Sequence, residues 1–511
     1  MKVDTIIIGS GIGGLTCANL LAKQGQSVLV LEQHFLPGGF CTSYTRSGCR
    51  FDVPVIIGNL RPGDPMERLF SEIGITSRLD FVELDRLTRI KGPDITLDWY
   101  TDLYKLEYEF IDTFPEDRKE IQKGFQALYN LWKEVGDAHY SPTLLQMAAY
   151  PFRFPRLTRS TNDTLERFMK RHFSNPRLRE VFGKEAITLG LGPDRVSALM
   201  FIGFVLGYAA GGIWVPKGGF QKLSDTFVEC LKEAGGEIRL KTRVEKILVE
   251  SNRAVGVRLE DGEEIRASRV ISNADTKKTF LELIGPDDLP KKTVSRIKAA
   301  EQSLSGVVVK LGVKKDFPDL KGCAWLFEFS EYGSTEKMVK QALCDELDLD
   351  SYSFSVDTAA LADREGQPDG MNTVGIVYLP APYGWKNKWN RENRDEYLKL
   401  KEDVATSLIN RAERLLPGLK DSIAVKDIST PITYERYTSA SGGGWYDLAL
   451  KPDQCFMNRP GVKSPVQDFY MTGAKGFIGA GLNAAAVSGL VTADMVTGGG
   501  LTAGKTYLKD Y

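Results

Sequence analysis

Apolar and polar positions alternate in a changing rhythm along the chain. Residues 3–8 are a mostly apolar run suited to a central parallel strand. Residues 12–24 place Leu15, Ala18, Leu21 and Ala22 on one face and predict a helix. Residues 27–31 predict a second strand, so the chain opens with one strand–helix–strand unit. Residues 65–200 change character. Helical patterns, aromatics and charge dominate there, 116–135 reads as an amphipathic helix, and Pro151, Pro155, Pro176 and Pro193 punctuate it. Residues 217–285 return to glycine turns and strands. A helix is expected over 223–234, and strands over 237–241, 244–250, 254–259, 264–267 and 270–272, with a hairpin turn at Asp261-Gly262. Residues 290–440 alternate strands and helices. Residues 465–497 are glycine-rich and end in a small-residue helix over 484–496. No internal repeat or low-complexity tail interrupts this order.

Composition narrows the reading. The 511 residues carry 66 Lys plus Arg against 67 Asp plus Glu, a formal net charge of −1. That balance excludes a general polyanion binder, so no nucleic-acid partner is expected. Hydrophobic residues at 42% and charged residues at 26% exclude a mostly disordered chain and a polytopic membrane protein. The seven cysteines form no CxxC pair, which fits reduced thiols in the cytosol. His34, His139 and His172 form no ligand cluster, so no metal site is expected. The N-terminus lacks the long apolar stretch of a signal peptide. Residues 196–216 contain no charge, but four glycines interrupt them, and the expectation is a buried helix running into a loop. Glycine is the outlier, at 50 residues. Nearly half fall in five short clusters, within 1–39, 203–219, 442–444, 473–489 and 498–500, where backbone is expected to approach something closely.

The first cluster carries chemistry. Gly9, Gly11 and Gly14 fit GxGxxG between a strand and a helix. In that pattern the first glycine permits the turn and the second lets backbone approach a pyrophosphate. The third packs helix on strand, and the helix N-terminus faces the phosphate charge. Glu32 closes the second strand where a ribose-binding acid belongs. Pro37-Gly38-Gly39 follows at once and offers another close backbone approach, usable by a longer cofactor.

With these parts the sequence resembles the phytoene desaturase, carotenoid isomerase and retinol saturase group of flavin-dependent oxidoreductases, within the wider amine-oxidase-like flavoproteins. The resemblance spans most of the chain. It rests on 6–15 with Glu32 and Gly38-Gly39, and on 215–219 with Val244 and 272–275. At the C-terminal end it rests on 470–474 and 479–481. It implies an α/β fold: a discontinuous Rossmann-type FAD-binding domain (1–64, 215–288 and 450–511). An α+β substrate domain (289–449) and a helical, membrane-facing part (65–214) are inserted into it. It implies FAD held by Gly9, Ser10, Gly11, Gly13, Gly14, Glu32, Gln33, Gly38, Gly39, Phe40, Val244, Asn273, Gly473, Gly481, Leu482 and Asn483.

Two departures from the family pattern, Pro54 and 477–481, fall where the flavin ring should lie and point to a reshaped substrate end. Lys475 is the one positional candidate for a catalytic acid or base. Cys41 either faces the flavin or is a small buried apolar residue. The implied reaction is desaturation, saturation or cis/trans isomerisation of a polyene, isoprenoid or other long apolar molecule. An amine-oxidase-like enzyme and a non-catalytic prenyl chaperone of the GDP-dissociation-inhibitor type are the alternatives, and the intact glycine clusters favour the flavoprotein. Residues 141–159, with Arg153, Arg156 and Arg159, either lie on an anionic membrane surface or form an ordinary helix and loop. The expected location is the cytoplasm, with or without peripheral membrane contact. The oligomeric state stays open.

Overall fold

A computed structural model describes residues 2–53, 57–138, 144–329, 335–350, 353–459, 461–475, 481–499 and 501. Two seven-stranded sheets organise them. The first draws strands from three distant stretches of chain. At its centre Lys2–Ile8 runs parallel to Val28–Leu31 on one side and to Glu264–Ser272 on the other. Glu237–Arg239 extends one flank, and Phe469–Met471 pairs in parallel with the last three residues of Glu264–Ser272. Strands covered on both faces need apolar side chains in both directions, and Ile6, Ile7, Val30, Val270 and Ile271 are fully buried. Val244–Glu250 and Arg253–Leu259 complete the sheet as antiparallel strands.

Glu264–Ser272 is one continuous strand where the pattern of residues suggests two. Its first residues pair antiparallel with Arg253–Leu259, and from Arg266 onward it runs parallel to Lys2–Ile8. Ser268 and Arg269 break the apolar pattern near the change of partner without breaking the hydrogen-bonded ladder.

The second sheet runs Ile423–Ser429, Ser305–Val313, Asn372–Ala381, Ser355–Asp357, Cys323–Glu328, Arg86–Lys91, Thr96–Tyr100. Its neighbours are antiparallel except for Cys323–Glu328 beside Arg86–Lys91. Val307, Val309, Leu311 and Val313 pack on Val404, Leu408 and Ala412 of the long helix Arg394–Leu415. Residues 65–214 are therefore not wholly helical: they lend this sheet its last two strands. Charge hides that hairpin in the sequence, because Arg89 and Asp98 form a salt bridge at 2.7 Å while Leu87, Ile90, Leu97 and Trp99 are buried.

Helices fill most of the rest of that stretch around Phe110, Phe173, Phe182 and Phe201. The charge-free segment becomes the helix Ala198–Gly211, capped by Ser197, and then the strand Ile213–Pro216, paired with Phe81–Leu84. Among the described residues no helix is long and apolar enough to cross a membrane.

Candidate functional site

A cavity of about 1540 Å³ lies between the two sheets and the helical layer. Three parallel strands deliver their carboxyl ends to it, at Ile8-Gly9, at Leu31-Glu32 and at Asn273. That is where open α/β sheets bind ligands. Single-ligand pockets usually hold about 300–1,000 Å³, so this one has room for a long cofactor and a second molecule.

Along one arm the wall is main chain. Gly9 turns the strand into the helix at φ +90°, which an L side chain rarely adopts. The helix Ile12–Lys23 starts at Gly11 with no acidic residue in its first turn, so its free N–H groups and positive end face the cavity unneutralised. The helix Leu482–Val496 does the same from Gly481. Two helix N-termini thus converge on one space, an arrangement suited to a pyrophosphate. Their approach depends on glycine. A Cβ on Gly13 would lie 2.7 Å from the Gly473 nitrogen and 2.9 Å from the Ala485 oxygen. A Cβ on Gly489 would lie 2.5 Å from the Gly13 oxygen.

Glu32 is 8% exposed and lines the cavity. Its Oε2 accepts from the Ser10 N–H at 2.8 Å and the Ser10 hydroxyl at 2.7 Å, and its Oε1 accepts from the His34 N–H at 2.8 Å. A carboxylate has about four acceptor positions, so one remains on Oε1 for a ribose hydroxyl. Arg243, Val244 and Glu260 line the same arm.

The other arm is made of side chains. Every described lining residue drawn from 101–211 is uncharged, including Trp132, Tyr150, Leu157, Leu199, Phe204 and Tyr208. Trp325, Trp445 and Tyr446 join them from beyond the helical layer. Gly203 has nothing within 4 Å of where its Cβ would be, so its missing side chain is open cavity. Burial pushes the phenols of Tyr208, Tyr434 and Tyr446 up, which keeps them protonated. Tyr446 donates to the Thr188 carbonyl at 2.5 Å. Behind the wall, burial pushes the Glu185 carboxyl up to about 7, and the Thr188 hydroxyl donates to it at 3.3 Å.

Asn59 ties the arms together. Its Nδ2 donates to the Gly207 carbonyl at 2.6 Å, and its backbone N–H donates to Asn483 Oδ1 at 3.2 Å. Arg459, fully buried, donates to the Ala474 carbonyl at 2.7 Å and the Tyr446 carbonyl at 3.1 Å, with Asp447 at 3.8 Å.

Thirteen of the sixteen residues expected to hold a cofactor line this one cavity. The others stand behind it. Ser10 acts through Glu32, Gly14 packs on the Asn273 side chain, and Gly473 makes room for Asn273 and for Gly13. Cys41 lines the cavity as a buried thiol pushed up by burial. Of Gly442–Gly444 only Gly444 lines the cavity. Pro54, 477–480 and the Lys475 side chain lie outside the described residues. Sequence reasoning missed Asn59, Trp325, Trp445 and Tyr446. Singly they read as core or loop, and the one stretch read as able to line a substrate channel was the charge-free segment 196–216 with its aromatics. Among the described residues no cluster could hold a metal ion.

A glycine-built cradle that opens into an uncharged aromatic arm suits a dinucleotide cofactor with an apolar molecule beside it. The profile of the family described as flavin containing amine oxidoreductase matches residues 12–496, and the chain belongs to that family. It is an FAD-dependent oxidoreductase. It is 26% identical to prolycopene isomerase, chloroplastic, of Daucus carota, over 97% of this chain and 80% of that one. It is 27% identical to all-trans-retinol 13,14-reductase of Danio rerio (94% and 84%). It is also 27% identical to phytoene desaturase (lycopene-forming) of Pseudescherichia vulneris (96% and 98%). Among solved structures, putrescine oxidase bound to putrescine aligns with a TM-score of 0.64 at 18% identity, covering 98% of this chain and 99% of that one. An oxidoreductase of Methanosarcina mazei aligns at 0.65 and 17%, covering 96% and 99%. These two likenesses concern the fold. The residues present fit FAD: paired helix N-termini free of acids, an acceptor position on Glu32, and backbone whose close packing at the cavity edge needs glycine, since a Cβ on Gly11 would meet Asn273 Nδ2 at 2.6 Å and one on Gly13 the Gly473 nitrogen at 2.7 Å.

Proposed function

We propose that the enzyme acts on carbon–carbon bonds of a long apolar polyene or isoprenoid. The uncharged arm carries this reading, because a stretched hydrocarbon needs a dry channel and no counter-ion. The names of the curated relatives support it. FAD supplies hydride chemistry when bound. In this proposal Gly9, Gly11, Gly13 and the N-terminus of Leu482–Val496 hold its phosphates, Glu32 its ribose, and Val244 its adenine edge. Gly38, Gly39 and Phe40 run beside it toward the reacting end. Asn59 fixes the distance between cofactor and substrate arm. The neutral phenols and aromatic rings exclude water and hold the chain straight.

The family also contains amine oxidases, and the aromatic rings of the arm suit a cation. Anaerobic photoreduction of the holoenzyme separates the readings. Reoxidation by a carotenoid or retinoid, with products identified by mass, supports the polyene reading. Reduction of the oxidised enzyme by primary amines, with hydrogen peroxide formed in air, overturns it.

The substrate would arrive from a membrane. Tyr150 and Pro151 line the cavity, while the neighbouring Phe152 is 89% exposed beside Arg153. This segment is proposed to touch an anionic bilayer. Phe152→Asp should weaken binding to phosphatidylserine-containing liposomes and leave FAD content unchanged, and unchanged liposome binding would refute the contact.

A further inference from the structure

A second, smaller cavity of about 70 Å³ adjoins the apolar arm. A water needs roughly 10–15 Å³ on this measure, so the annex suits a small polar group and little more. Thr188, Trp325, Trp445 and Tyr446 line both spaces, so the two meet at these residues.

The annex differs in charge from the arm beside it. Lys184, Lys310 and Asp357 line it. Lys310 donates to Asp357 at 2.7 Å, both side chains are nearly inaccessible, and the two charges cancel. Lys184 has no such partner. It makes no hydrogen bond, no carboxylate lies within 4.0 Å among the described residues, and its ammonium stands 5.9 Å from the Phe329 ring centroid. Burial pushes the amine down to about 8, against the pull of Glu328, Glu180 and Glu185 and with the push of Arg411, so it remains mainly cationic at neutral pH. Lys184 is half-buried, and an anion in the annex would pair with an ammonium that no described carboxylate meets within 4.0 Å. In the same wall the indole Nε1–H of Trp445 is buried without a partner.

We propose that the annex takes the charged end of the substrate: a long apolar chain, seated in the main cavity, ending in a carboxylate that Lys184 holds. This rests on the polyene reading and narrows it from hydrocarbons to polyene acids.

The test uses the holoenzyme and three ligands of equal chain length: an all-trans polyene acid, its alcohol and its hydrocarbon. Binding is followed by tryptophan quenching and by the flavin spectrum. The acid should bind at least tenfold more tightly than the hydrocarbon. Lys184→Gln should abolish that preference and leave hydrocarbon affinity within about twofold. Lys184→Arg should keep it. An acid that binds no better than the hydrocarbon overturns the inference, whether or not the variants fold, and so does a preference that survives in Lys184→Gln. Turnover of alcohol and hydrocarbon without acid preference sinks this inference alone. Failure of all three ligands to bind sinks the polyene reading with it.

Discussion

Main chain forms the wall at the cofactor arm of the cavity, and side chains form it at the apolar arm. The first arm gathers two helix N-termini and several glycines, so its tolerances are set by backbone atoms that cannot rotate away. The second gathers aromatic and aliphatic side chains from the helical layer and the second sheet, each able to change rotamer. The cofactor arm should therefore fail abruptly when altered, and the apolar arm should change its preferences by degrees.

The largest effect is expected at Gly13. An added Cβ meets the Gly473 nitrogen and the Ala485 oxygen, and neither can yield without moving a helix. Gly13→Ala should purify without flavin or fail to fold, read from its visible spectrum and circular dichroism. A yellow, stable Gly13→Ala protein would break the comparison.

Glu32→Gln should come next. It replaces the charged acceptor offered to the ribose by a neutral amide, and one hydrogen bond to a charged group contributes about 1.5–3 kcal/mol, so FAD affinity should fall roughly 10–100-fold. Flavin released on dialysis measures it, and an unchanged dissociation constant would remove Glu32 from the cradle.

On the other arm, Gly203→Leu fills open cavity from a helix. Turnover of a polyene should fall about tenfold or more while FAD content stays full. The melting temperature should hold or rise, since leucine favours a helix over glycine by up to about 1 kcal/mol. Loss of flavin in this variant would show that the two arms are not separable.

The smallest effect concerns pH. In the folded protein Glu185 binds its proton up to about pH 7, against 4.5 for an unperturbed glutamate. Between those values the folded state holds a proton that the unfolded chain has released, so stability falls as pH rises through this window. Glu185→Gln should flatten that slope. Melting temperatures at pH 5 and pH 7.5 test it, and equal slopes in the two proteins would reject the assignment.

The same contrast explains what could be read from the chain alone. The turn after Lys2–Ile8, the helix behind it and the acid at Glu32 are local, with fixed spacing, and were legible. The amphipathic helix near 116–135 was legible too, and it forms over Arg118–Asp137. The hairpin of Arg86–Lys91 and Thr96–Tyr100 was not, because the strand beside it, Cys323–Glu328, lies more than 200 residues away. The apolar arm was hidden for a related reason. Trp132, Trp325 and Tyr446 are neighbours only in space, and a residue lining a cavity has the same composition as one filling a core.

One consequence follows for synthesis. Phe469–Met471 completes the parallel sheet beside Glu264–Ser272, and Leu482–Val496 packs on the helix Ile12–Lys23. A ribosome adding about 5–20 residues per second reaches residue 469 on the order of 20–90 s after residue 31. Throughout that interval the nascent chain lacks the strand that pairs with Glu264–Ser272 and one of the two helix N-termini proposed to hold the phosphates. Tight flavin capture thus marks translation that has passed this point, and a product stopped earlier should stay colourless and depend on chaperones.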